Sequence, residues 1–116
     1  MDIFTVSFYI PGTLSGNHSI HFKLPVDAQL IHVSQCNTAN TDAVLDIGYT
    51  GSLEAYLADM ACGDSSVAAE ADWNDFVGSQ YPHISKATNI ILTLDYDGSS
   101  GTAAANWTCV LTFTQG

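Results

Sequence analysis

Apolar and polar residues alternate along most of this chain with a period of two, the spacing of a β-strand that buries one face. From Ile3 to Ile10, Phe4, Val6, Phe8 and Ile10 fall on one side and Thr5, Ser7 and Tyr9 on the other, until Pro11-Gly12 closes the run. After a Ser15-Gly16-Asn17 turn, Ile20, Phe22 and Leu24 alternate with Ser19, His21 and Lys23, and Pro25 stops them. Gln29 to Cys36 alternates less cleanly, with Ile31 and Val33 on one face and Leu30, His32 and Ser34 on the other. Val44 to Thr50 offers Leu45, Ile47 and Tyr49 to an interior, with Asp46 and Gly48 outward, and ends at Gly51-Ser52.

The second half is mixed. Leu53, Tyr56, Leu57 and Met60 fit the i, i+3, i+4, i+7 spacing of a helical face, with Ser52 placed to cap it, so one short helical turn is expected there. Gly63-Asp64 breaks that pattern, Ser66 to Asp72 predicts a weak strand, and Trp73 to Pro82 has no clean period and reads as a long surface loop. Near the end, Ile90, Leu92 and Leu94 share a face. Asp97-Gly98-Ser99-Ser100-Gly101 turns the chain, and Trp107, Cys109, Leu111 and Phe113 then alternate with Thr108, Val110, Thr112 and Thr114. This last pair predicts a β-hairpin with a glycine-containing loop. The expected fold is all-β, an antiparallel β-sandwich of jelly-roll or immunoglobulin-like type, with six to eight strands and at most one short helix, in one domain over residues 1–116.

Composition narrows the functions. At 47% hydrophobic and 12% charged, the chain can bury a core and is neither a disordered tail nor a highly charged binder. Lys23 and Lys86 are its only Lys or Arg residues, against twelve carboxylates and a net charge of -10. Neutralising phosphate needs a basic stripe, so neither nucleic acid nor an anionic membrane is an expected partner. The acidity reads first as a solubility feature, because one sign of charge keeps copies apart. Met1-Asp2-Ile3-Phe4 lacks the basic region and apolar run of a signal peptide, and no stretch reaches membrane-span length, so synthesis in the cytosol is expected. Cys36, Cys62 and Cys109 are odd in number and form no C-x-x-C pair, so they are expected reduced and buried rather than in a disulfide framework or zinc site.

No catalytic constellation stands out. Asp95-x-Asp97-Gly98-Ser99 opens like a calcium loop, but Asn106 stands where the bidentate Glu belongs and Ser100 where the invariant Gly belongs, so turn chemistry explains it better. His21 and His32 occupy polar positions where a cross-strand metal pair could form. No His-x-His spacing supports it, and a solvated or hydrogen-bonded imidazole is the simpler reading. Serine, cysteine and histidine lie in ordinary alternation without a nucleophile motif, so no enzyme activity and no cofactor are expected. The candidate interface residues are Trp73, Phe76 and Tyr81, joined by His83 after Pro82. Loop aromatics of this kind either plug a sandwich or form a protein interface, and a carbohydrate-stacking platform is the third alternative.

The segment Asp75-Phe76-Val77-Gly78-Ser79-Gln80-Tyr81-Pro82-His83-Ile84, with Thr93-Leu94-Asp95-Tyr96-Asp97-Gly98-Ser99-Ser100-Gly101-Thr102-Ala103-Ala104-Ala105-Asn106 and Val110-Leu111-Thr112-Phe113-Thr114, resembles small virion proteins of tailed bacteriophages. Asp46-Ile47-Gly48 and Ala55-Tyr56-Leu57 share the resemblance loosely. It implies a structural protein of the particle, similar to capsid decoration (cement) proteins. By that resemblance it would sit on the outer capsid surface, bind the major capsid protein and self-associate, with a trimer favoured. The alternative is a tail- or fibre-associated module that recognises host surface glycans through the loop aromatics.

Overall fold

The alternating runs become strands, and the order in which they pair defines the architecture. In the computed structural model, which describes residues 2–116, they are β1 (Ile3–Thr13), β2 (His18–Phe22), β3 (Ala28–Cys36), β4 (Val44–Tyr49), β5 (Ser52–Ala61), β6 (Ala69–Ala71), β7 (His83–Ile84), β8 (Ile90–Asp95) and β9 (Ala105–Gln115). One sheet has the order β1-β9-β3-β6, with the two-residue β7 also pairing β3, and the other has the order β2-β8-β4-β5. Every pairing is antiparallel.

This order is a jelly roll. The chain behaves as one long hairpin with its tip at the β4–β5 turn, in which β4 pairs β5, β3 pairs β6, β2 pairs β8 and β1 pairs β9. Rolling that ribbon brings β9 beside β3 and β8 beside β4, which completes both sheets. Of the two sandwich types that the alternation allows, the long-range pairing selects the jelly roll, and no helix occurs among the described residues.

The core lies between the sheets. Trp107, Cys109, Leu111 and Phe113 from β9 and Ile90, Leu92 and Leu94 from β8 are all almost fully buried, as the alternation predicts. They share one core cluster with Leu30 and Val33 of β3 and Leu45 and Ile47 of β4. By contrast Phe4, Val6, Phe8 and Ile10 of β1, and Ile20 and Phe22 of β2, are only partly buried, because each sits on an edge strand.

Five expectations are corrected, each by tertiary structure. β8 and β9 do not form a hairpin: they belong to different sheets, and residues 96–104 cross between them. The local turn is real, since Gly101 N–H donates to Asp97 O at 3.0 Å and the Ser100 hydroxyl to Asp97 Oδ1 at 2.6 Å, but a turn does not specify which sheet receives the next strand. Leu53 to Met60 is strand, not helix. β5 bulges against β4, so that Leu45 faces Met60 while Ile47 faces Leu57, with Asp59 at φ 54° inside the bulge. The extra residue puts Leu57 and Met60 on one face three positions apart, which imitates a helical period. In β3, Leu30 faces Phe113 and His32 faces Thr112, leaving Ile31 as a bulge residue. The inward set therefore becomes Ala28, Leu30, Val33 and Gln35, and Ile31 does not share a face with Val33. Tyr49 is 40% exposed rather than inward, at the tight β4–β5 turn. That turn needs Gly48, because a Cβ there would collide with the backbone of Ser52 and Leu53.

Pro11-Gly12 does not end the first strand. β1 continues to Thr13 through a bulge in which Gly12, at φ 78°, donates its N–H to Asn106 Oδ1 at 2.8 Å.

Candidate functional site

The loop between β6 and β7 carries three of the four sequence-predicted interface residues, Trp73, Phe76 and Tyr81, with His83 opening β7 just after it, and is held at both ends. At its start, Asp75 Oδ2 accepts from Asp72 N–H at 3.1 Å and Asp72 Oδ1 from Asn74 N–H at 3.2 Å, a pair of carboxylate-to-backbone turns that shape the chain around Trp73. At its end, Leu30 N–H donates to Pro82 O at 3.1 Å, and β7 adds to the start of β3. Midway, Val77 N–H donates to Tyr56 O on β5 at 3.0 Å. The loop therefore bridges the two sheets along the side where β5 and β6 are the edge strands.

Phe76 is 2% exposed and belongs to the core cluster, so it closes this side of the sandwich. Tyr81 packs against it with ring centroids 6.5 Å apart, yet is 43% exposed. Trp73 is 46% exposed, and among the described residues its ring stacks on no other aromatic ring. His83 is exposed on β7. The structure thus brings Phe76 and Tyr81 together, places Trp73 at the outer turn, and leaves His83 on the surface.

Sequence reasoning missed the neighbour of this loop. Tyr49 and Tyr56 pack at 5.7 Å, and Leu53 and Val77 are 47% and 50% exposed, so the surface around the loop extends onto the β4–β5 hairpin. The signal for Tyr49 was Gly48 beside it, a residue whose role shows only when β5 crosses over it.

The other groupings of chemical groups are modest. Carboxylate oxygens of Asp46, Glu54 and Asp59 lie within 4.8 Å of one another where β5 bulges, oxygen donors of the type a hard cation takes. Burial, then the nearby Asp59 charge, raises the Asp46 carboxyl above its ordinary value, while the hydrogen bond from Asp59 N–H at 2.7 Å opposes the rise. His21 and His32 lie on different sheets. His21 contacts Ser19 and Asn89 at 3.0 and 3.3 Å, and His32 contacts Glu70 at 3.2 Å. Burial pushes the Cys62 and Cys109 thiols up to about 12, so both are neutral at ordinary pH.

One buried polar assembly joins the sheets. Gln35 on β3, 1% exposed, donates through Nε2 to Met60 O and Ala61 O of β5 at 3.1 and 3.0 Å, and its Oε1 accepts from Trp107 Nε1 at 2.9 Å. All three polar atoms involved on the Gln and Trp side chains are satisfied, as burial requires. This is structural chemistry rather than a reactive site.

No protein-family model and no curated protein sequence matches the chain. Among solved structures, 99% of the chain superposes on 84% of a chain in the capsid asymmetric unit of cyanophage Pam1, with a TM-score of 0.54 and 16% identity. A pre-peptidase C-terminal domain of a Bacillus anthracis collagenase matches 96% of the chain over 88% of its own, with a TM-score of 0.46 and 13% identity. A chain of the acid-stable capsid of Helicobacter pylori bacteriophage KHP30 matches 93% over 90%, with a TM-score of 0.32 and 12% identity. The first likeness shows a shared fold, and the other two are too loose to bear on it.

Proposed function

We propose that this chain is a capsid decoration protein of a tailed bacteriophage, which binds the major capsid protein on the outer surface of the head and stabilises the shell without catalysis. The observation that carries the reading is the jelly-roll order running through almost the whole chain, a fold it shares with a chain of the Pam1 capsid asymmetric unit. The resemblance of the C-terminal segments to phage virion proteins supports the same reading. Copies arranged in threes would match the threefold junctions of an icosahedral shell. Each bound copy would raise the cost of opening the shell by mass action, since it binds the closed form and not the open one.

The test is the copy number of the chain in purified virions, by quantitative mass spectrometry against the major capsid protein. A fixed ratio of hundreds of copies per head, together with heads that burst at lower temperature when the chain is missing, is the expected result. Absence from the particle, or only a handful of copies, overturns it. A handful of copies would favour the second reading, a tail or fibre module that stacks host glycans on Trp73 and Tyr81, both nearly half exposed. Quenching of Trp73 fluorescence by host polysaccharide measures that directly.

A further inference from the structure

Exposed sheet edges invite pairing with another chain, and proteins blunt them with charge, proline, bulges or short length. Three of the four edge strands here are blunted. β2 is five residues long and flanked by Lys23, β5 carries Glu54 and Asp59 and is broken by bulges, and β6 has three residues, one of them Glu70. β1 differs. It has no charged residue from Ile3 to Thr13, and Ile3 to Ile10 pairs with β9 without a register shift, so the proline and bulge protect only its far end.

The side of the sandwich beside β1 is also open. Loop 72–82 closes the β5/β6 side with Phe76, but between β1 and β2 a largely apolar groove of about 560 Å³ runs over Phe4, Val6, Phe22, Leu24 and Val26, with Asp2 and Lys23 also lining it. An edge that is flat, uncharged and bordered by apolar surface is suited to adding a strand.

We propose that the occupant is β1 of a second copy, paired antiparallel about a twofold axis at Ser7. Self-complementarity selects it. A second β1 offers the same run with no charged residue from Ile3 to Thr13, so of the edges it is the one where two chains of net charge -10 meet with least repulsion. Keeping both apolar faces on the same side restricts the register to even sums, because a one-residue slip would turn one face outward. The sum of fourteen sets Val6 against Phe8 and Phe4 against Ile10, puts Ser7 against itself, and leaves Pro11 opposite Ile3 at the end of the ladder, where its missing N–H removes only a terminal bond. The pairing is isologous and closes at two copies. It rests on the edge strands alone and not on the capsid reading. On a shell it would link neighbouring threefold clusters.

The experiment is the mass of the purified wild-type chain by sedimentation equilibrium over a concentration series, with cysteine crosslinking of two variants. Twice the 12.3 kDa chain mass is expected. Ser7→Cys should give a disulfide-linked dimer on mild oxidation, because Ser7 meets its own copy. Thr112→Cys, one strand inward on the same outer face and opposed by Thr5 and His32 rather than by a cysteine, should not. A monomer at all concentrations, a species of three chain masses, or equal crosslinking of both variants overturns the proposal.

Discussion

Replacing Gln35 by leucine should remove the polar link between the two sheets while leaving the volume of the site nearly unchanged. The change strands the Trp107 indole N–H, which is bonded to Gln35 Oε1 at 2.9 Å in a fully buried position, and takes a donor from the Met60 and Ala61 carbonyls. A buried group left without a partner costs about 1–3 kcal/mol, and lost bonds to groups that keep other partners cost about 1 kcal/mol each. The sum for one stranded donor and two weakened acceptors is about 3–5 kcal/mol, a large share of the ~5–15 kcal/mol that holds a domain together. For a chain this size 1 kcal/mol corresponds to about 4 °C, so Tm should fall by about 12–20 °C. Urea and thermal unfolding followed by far-UV circular dichroism measures it. The decisive arm is a double-mutant cycle with Trp107→Phe, which deletes the same N–H. The Gln35→Leu and Trp107→Phe costs should fall short of additivity by at least about 1 kcal/mol, since the second change removes the group that the first one strands. Strict additivity, or a Gln35→Leu cost below about 1 kcal/mol, would refute the reasoning.

Three further outcomes follow from the same geometry. Phe76→Ala should cost about 3–4 kcal/mol, because it empties the closure of the β5/β6 side, whereas Trp73→Ala should change stability by less than about 0.5 kcal/mol and show any effect only in partner binding. Native-state alkylation at pH 8 followed by intact-mass measurement should modify at most one thiol, Cys36, because burial holds Cys62 and Cys109 neutral with values of about 12 and alkylation requires the thiolate. Asp46→Asn should stabilise the protein at pH 7 by up to about 0.5 kcal/mol, a figure reduced for solvent screening of a partly exposed group. The sign follows from linkage. Folding raises this carboxyl, so its ionised form costs stability above the folded value, and the cost fades as pH falls towards the unfolded value near 3.8. Chemical denaturation of both proteins across that range should show the two curves converging at low pH.

Of the candidate interface residues, Trp73, Tyr81 and His83 are at the surface, and Phe76 is buried as a plug. Their residue types mark a loop with aromatic character, but which of them turns inward depends on β5, to which the loop is tied through Tyr56 O. The Asp46, Glu54 and Asp59 grouping was not legible at all, because it forms only where the β5 bulge returns Asp59 to the side of Asp46.

Alternation along the chain was enough to establish strand content and the inward faces of β1, β2, β8 and β9. Over Ile3 to Ile10 of β1 and in the other three strands nothing interrupts the two-residue period, and each side chain's face follows from its place in the count. Tertiary structure decided the rest, for two physical reasons. A bulge shifts the count by one, so the inward role of Gln35 and the strand character of Leu53 to Met60 depend on register against a partner far away in the chain. Sheet membership is a matter of long-range pairing too. Asp97-Gly98 states that the chain turns, but only the burial of β8 between β2 and β4, and of β9 between β1 and β3, sends the two strands into opposite sheets and makes the sandwich a jelly roll.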